Sequence, residues 1–199
     1  MYKIDHRKAL SHLYHPSADE PTLVDVPTMN FLMFDGQGKP NGSAFQQAAD
    51  TLYPLAYIIK FIVRDERDVD YHVMPMEVCW RINRETREFA WTMMLMQPDY
   101  VTPERVAAAR EKARAKVEPA LLEQVRFEPF NEGTCIQLRH IGPYQGMDAA
   151  LERMVASAEA QGYLVPARDA HDIYLNDVRK TRPENLQAVM RLPVVRKTD

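Results

Sequence analysis

The order strand, helix, strand, strand occurs twice along this chain, over about residues 25–97 and again over about 125–194. In the first copy Thr28–Phe34 is extended. Phe45, Ala48, Ala49, Leu52, Ala56, Ile59 and Val63 then recur at helical spacing over Ser43–Val63. Two further strands follow, Tyr71–Ile82 and Glu88–Gln97, joined by the turn Asn83–Arg87. In the second copy Arg126–Phe130 and Gly133–His140 are strand-like. A helix over Pro143–Gln161 buries Met147, Leu151, Met154, Val155 and Ala158, and Gly162 ends it. His171–Asn176 and Ala188–Val194 close the copy as strands. One sheet with one helix leaves a sheet face bare, so the two halves are expected to pack together. The fold class this predicts is α+β, with pseudo-twofold symmetry and a concave surface suited to a ligand.

Local signals refine the pattern. Pro54 lies inside the first helix, removes one backbone donor and predicts a kink. Asn41 or Ser43 is expected to cap that helix. The glycines of Asp35–Gly42 make a turn and not a nucleotide loop, because no Gly-Lys-Ser/Thr follows. Thr102-Pro103 is a cap followed by proline at the first helical position, and predicts a charged connecting helix over about 103–117. Pro119 breaks it, and Ala120–Val125 resumes as a short helix. Leu10, Leu13 and Tyr14 form a short helical stripe near the start.

A net charge of −3 over 199 residues gives no basic stripe for nucleic acid, and none is expected to bind. Cys79 and Cys135 make no C-x-x-C site and are expected to be buried thiols. No stretch approaches a membrane span, and the first residues carry no apolar signal core, so the expectation is a cytoplasmic protein. His12 and His15 lack a third ligand at a fixed offset, and neither a metal nor a cofactor is expected.

Two acids lie in otherwise apolar strands. Asp172 stands two places before Tyr174 in His171-Asp172-Ile173-Tyr174, and Glu77 lies in Met74-Pro75-Met76-Glu77-Val78-Cys79-Trp80. A carboxylate is costly to bury alone, so each is paired, exposed or kept for a ligand. For Asp172 the plain alternative is an ion pair with Arg191; for Glu77 it is one with a neighbouring arginine. Strict alternation puts Glu77 and Trp80 on opposite faces unless a bulge intervenes. Tyr57, Trp80, Trp91, Tyr144 and Tyr174, with Met94 and its neighbouring methionines, are either pocket walls or core. His171 points away from Asp172 in a regular strand, so a dyad between them is not expected.

Several stretches together resemble the stand-alone GyrI-like proteins. They are Asp25-Val26-Pro27, Gly36-Gln37-Gly38-Lys39-Pro40-Asn41, Leu52-Tyr53-Pro54-Leu55-Ala56-Tyr57, Met74-Pro75-Met76-Glu77, His140-Ile141-Gly142-Pro143-Tyr144, His171-Asp172-Ile173-Tyr174-Leu175, and Pro183-Glu184-Asn185-Leu186 followed by Arg191-Leu192-Pro193-Val194. The resemblance implies a single domain built as a duplicated strand–helix–strand–strand barrel with a central ligand cleft. This is the fold of the effector-binding domains of multidrug-sensing regulators. It also implies binding of hydrophobic or cationic drug-like compounds, with a buried acid and surrounding aromatics as contacts. Some stand-alone members hydrolyse cyclopropane-bearing alkylating natural products, which would make Asp172 and Glu77 the catalytic acids. The family's namesake inhibits gyrase, which implies a third reading as a protein-interaction module. Two positions depart from the family pattern. Asp172 stands where a glutamate is usual, and Arg81 follows Trp80 where a second tryptophan is usual.

Overall fold

The computed structural model describes residues 1–40, 42–83, 85–86 and 88–198. In chain order the elements are β1 (Tyr2–Ile4), α1 (His6–Ala9), α2 (Ser11–Tyr14), β2 (Thr22–Val26), β3 (Met29–Gln37), α3 (Ser43–Arg67), β4 (Val69–Tyr71), β5 (Met76–Ile82) and β6 (Phe89–Gln97). Then come α4 (Pro103–Ala113), α5 (Pro119–Gln124), β7 (Arg126–Phe130), β8 (Gly133–Ile141), α6 (Met147–Ala160), β9 (Tyr163–Leu164), β10 (His171–Tyr174), β11 (Gln187–Pro193) and β12 (Val195–Arg196). The class is α+β, and the strand–helix–strand–strand order occurs twice. Contacts divide the chain into two units: Met1–Ala9 with Met29–Phe130, and Leu10–Thr28 with Asn131–Asp199.

In the first unit the strands lie in the order β5, β6, β3, β7, all antiparallel. Helix α3 covers one face. Phe45 of α3 stacks on Trp80 at 5.7 Å and meets Trp91 edge-on at 5.2 Å. Trp80 and Trp91 are direct cross-strand partners, and Gly36 is the next position in the same row. A Cβ on Gly36 would stand 2.1 Å from Trp91 Cη2, so this glycine makes room for the indole. Gly36→Ala is expected to destabilise the protein by about 1–3 kcal/mol, the usual range for overpacking. Urea denaturation checks this; a loss below about 0.5 kcal/mol, the range of neutral surface changes, would mean that the indole can shift at no cost.

Helix α3 runs four residues past the predicted end and keeps Pro54 inside it. Asn41 and the turn residues Arg84 and Arg87 lie outside the described residues. Gly42 occupies the cap position, and Ser43 is already helical. The stretch predicted as one strand over Tyr71–Ile82 is two. Val69–Tyr71 pairs in parallel with Tyr2–Ile4, and β5 starts only after Pro75, which has no N–H to give a ladder. Thr102 caps α4 by accepting from the Arg105 N–H, and Pro103 is its first residue.

In the second unit the order is β2, β8, β11, β10, again antiparallel. Helix α6 packs Ala150, Met154, Val155 and Ala158 on Ile136 and Leu138 of β8 and on Met190 and Leu192 of β11. Gly162, at φ +81, ends the helix as its position predicts. No helix among the described residues is long and apolar enough to cross a membrane. Neither cysteine is in a disulfide; Cys135 is buried and Cys79 half-buried.

Candidate functional site

The register of β10 on β11 fixes which side chains share a face in the second unit. Asp172 stands opposite Met190, and Tyr174 opposite Ala188. Met190 belongs to the cluster packed under α6, so Asp172 and Tyr174 lie on the face that α6 covers. Continuing across the sheet, Ala188 pairs with His140 of β8. The small Ala188 therefore separates His140 and Tyr174 in one row, with Leu138, Met190 and Asp172 in the next.

The turn between β8 and α6 carries Tyr144 onto this row. Gly142 takes φ +123, a conformation that other residues rarely adopt, and lets the chain reverse. The His140 Nε2–H donates to the Pro143 carbonyl at 2.9 Å. A carbonyl only accepts, so Nε2 carries the hydrogen of this bond. Tyr144 then meets Tyr174 edge to face, with centroids 5.5 Å apart. Both rings are half-buried, while the Asp172 residue is 7% exposed. Burial raises the Tyr144 phenol above its ordinary value, and the carboxylates of Asp172 and Asp177 raise it further. The phenol stays protonated across the physiological range and can donate a proton. Three of the residues singled out in the sequence, Tyr144, Asp172 and Tyr174, are thus one cluster.

The other acid has a different setting. In the first unit β5 runs on β6 in unbroken register from Met76–Leu95 to Ile82–Phe89, without a bulge. Glu77 is paired with Met94, and Met94 with Met33, so these three make one row on the face away from α3. The Glu77 residue is 0% exposed. Trp80 and Trp91 lie on the opposite face, against Phe45. Glu77 and the two tryptophans therefore do not meet. Arg81 shares the face of Glu77 but stands about 13 Å further along the strand. Its Nη2 donates to Thr92 Oγ1 at 3.3 Å, and that hydroxyl donates to Asp35 at 2.6 Å. Tyr57 is on the outer side of α3 and 47% exposed.

A second charged cluster lies on the back of β10 and was not singled out in the sequence. His171 is the cross-strand partner of Arg191. Both meet Glu132, which comes from the turn between β7 and β8. His171 Nδ1 is 3.0 Å from the Glu132 carboxylate oxygens, and Arg191 Nη1 donates to Oε2 at 3.0 Å. Arg191 Nη2 also donates to the carbonyl of Leu13 at 3.0 Å. The side chains of Glu132 and His171 are each 3% exposed, and that of Arg191 is 1%. Burial pushes the Glu132 carboxyl upward, but the charges and hydrogen bonds of His171 and Arg191 outweigh it and hold the group down at about 2. Asp172 and Arg191 fall on opposite faces of the sheet, so the cross-strand partner expected for Asp172 faces Glu132 instead. The available signal was a charge in each apolar strand, Arg191 among them.

The fold is that of an α+β domain with a duplicated strand–helix–strand–strand order. The family model for the GyrI-like small molecule binding domain matches residues 19–195, and the chain belongs to this family. Among solved structures, an uncharacterized conserved protein from Listeria innocua is 36% identical with a TM-score of 0.88, covering 96% of this chain and 100% of that one. A hydrolase from Listeria innocua is 36% identical with a TM-score of 0.86, covering 96% of this chain and 100% of that one. The C-terminal domain of EcmrR shares the fold at 11% identity, with a TM-score of 0.54 over 89% of this chain and 98% of that one. No curated protein matches the chain.

Proposed function

We propose that the protein binds a hydrophobic, positively charged small molecule at the cluster of Asp172, Tyr144 and Tyr174. The observation that carries this reading is a largely buried carboxylate beside two half-buried rings in edge-to-face contact. A carboxylate in a poorly solvated setting attracts a cation strongly, and tyrosine faces add cation–π attraction and apolar area. The row of Glu77, Met94 and Met33 offers a second acid among adaptable methionines.

A second reading is hydrolysis, favoured by the hydrolase from Listeria innocua at 36% identity and by the pairing of a carboxylate with a protonated phenol. The substrate class is an electrophilic, strained ring such as a conjugated cyclopropane. Asp172 orients a water molecule, whose oxygen bonds to a ring carbon. The ring C–C bond breaks and its electron pair moves into the conjugated system. The Tyr144 phenol supplies the proton taken up there, and the proton released by water restores the phenol.

Ethidium, a flat cation, is a direct probe for the first reading. Asp172→Asn combined with Glu77→Gln is expected to weaken its binding about tenfold or more, roughly 1.4 kcal/mol. Unchanged affinity in this double variant would remove the electrostatic part of the proposal. Mass spectrometry of a cyclopropane-bearing alkylating compound incubated with the protein separates the two readings. A gain of one water, lost in Asp172→Asn, establishes the hydrolase. Recovery of the intact compound with a raised melting temperature establishes a binder.

A further inference from the structure

We propose that the buried cluster of Glu132, His171 and Arg191 is a positioning device for the site: it fixes the register of β10 and so holds Asp172 and Tyr174 against Tyr144. The inference rests on the reading of Asp172 and the tyrosines as the ligand site.

Strand β10 has only four residues, His171–Tyr174, and so few ladder bonds of its own to set its register on β11. The side-chain period of two makes register decisive here. A slip of one residue would exchange the faces of every side chain in the strand. Asp172 would then arrive at Glu132, a like charge, while His171 would be pushed under α6. In the observed register His171 is opposite Arg191, and the Glu132 carboxylate reaches both. Arg191 adds the carbonyl of Leu13, so the back of the strand is tied to the β7–β8 turn, to β11 and to α2. Because a carboxylate only accepts, His171 Nδ1 must carry a hydrogen, which fixes the orientation of the ring. The bonds are directional and buried, unlike the apolar packing of Ile173 beside them.

The Tyr144 phenol reports the position of the Asp172 carboxylate without any ligand. Its titration is followed by NMR on protein carrying 13Cζ-tyrosine, assigned with Tyr144→Phe. Asp172→Asn is expected to move it towards the ordinary tyrosine value of about 10. His171→Leu, which loses the Nδ1 donor, is expected to move it the same way and to weaken ethidium binding about tenfold. His171→Asn, whose amide can donate from nearly the same place, is expected to restore both. If His171→Leu fails to fold, Arg191→Lys, which keeps the charge without the two-pronged donor, gives the same readout. A folded His171→Leu or Arg191→Lys protein in which Tyr144 titrates as in the wild type overturns the proposal. So does a Tyr144 titration that ignores Asp172→Asn. If Asp172→Asn and His171→Leu both move Tyr144 but ethidium binds equally well, positioning stands and the ligand reading fails.

Discussion

Glu132→Gln is expected to cost the protein about 3–5 kcal/mol, the range for removing one partner of a buried ion pair. The glutamine keeps the shape and one acceptor. It leaves the Arg191 guanidinium, 1% exposed, without the carboxylate that balances it. The contacts of Glu132 with His171 and, to a smaller extent, with Arg191 make the wild type acid-sensitive in a defined window. The carboxyl of Glu132 lies at about 2 in the folded protein against an ordinary 4.5. A folded value below the unfolded one means that the carboxylate form favours folding. This contribution is complete above about pH 4.5 and is lost as pH falls through about 2, and it amounts to about 3 kcal/mol. Urea denaturation at pH 7, 4.5 and 2.5 checks both statements. The wild type should lose stability below pH 4.5 more steeply than Glu132→Gln. Coincident curves for the two proteins would show that these contacts contribute nothing, and parallel but displaced curves would show that the charge of Glu132 does not set the acid sensitivity.

The strand–helix–strand–strand repeat was legible because each element follows its own period. Trp91, Met93 and Leu95 alternate with Thr92, Met94 and Met96, and the register against β3 and β5 places the two sets on opposite faces. Punctuation was legible for the same local reasons: Thr102-Pro103 starts α4, and Gly162 ends α6. What escaped depends on partners remote in sequence. Tyr2–Ile4 is a strand only because Val69–Tyr71 lies beside it. Thr22–Val26 joins its sheet through residues more than a hundred positions away, and it does not alternate cleanly.

The candidate site divides in the same manner. Tyr174 two places after Asp172 puts both on one face in any regular strand, so that half was readable. The contact of Tyr144 with Tyr174 depends on how Gly142 and Gly146 turn the chain, and a Cβ on Gly146 would stand 3.0 Å from the His140 ring. The partner facing Arg191 was not readable, because register decides which face a strand charge occupies. His171 and Arg191 share a row across β10 and β11, and Glu132 reaches them from a turn that the sequence marks only as a loop.

Trp91→Ala is expected to cost about 3–5 kcal/mol, the range for a large aromatic removed from a close-packed core. The residue is 0% exposed, and its ring lies edge to face with that of Phe45, centroids 5.2 Å apart. The indole Nε1–H donates to the carbonyl of Gly38 at 3.1 Å, which ties the start of the β3–α3 loop to the sheet. Truncation therefore opens a cavity under α3 and leaves that carbonyl without its donor. Trp91→Phe separates the two losses, because it restores most of the volume and none of the hydrogen bond. Its expected cost is about 1–2 kcal/mol, a lost hydrogen bond plus minor repacking. Neither variant should alter ethidium binding beyond its effect on the folded fraction, since Trp91 lies on the α3 face and Glu77 on the other. Denaturation curves and ethidium titrations on the same preparations decide the matter. A Trp91→Ala protein that keeps its stability within about 1 kcal/mol, the net worth of a single hydrogen bond, and loses the dye makes Trp91 a ligand wall. A large stability loss with dye affinity intact makes it the core of the first unit, the role that its contacts with Phe45, Gly36 and Gly38 describe.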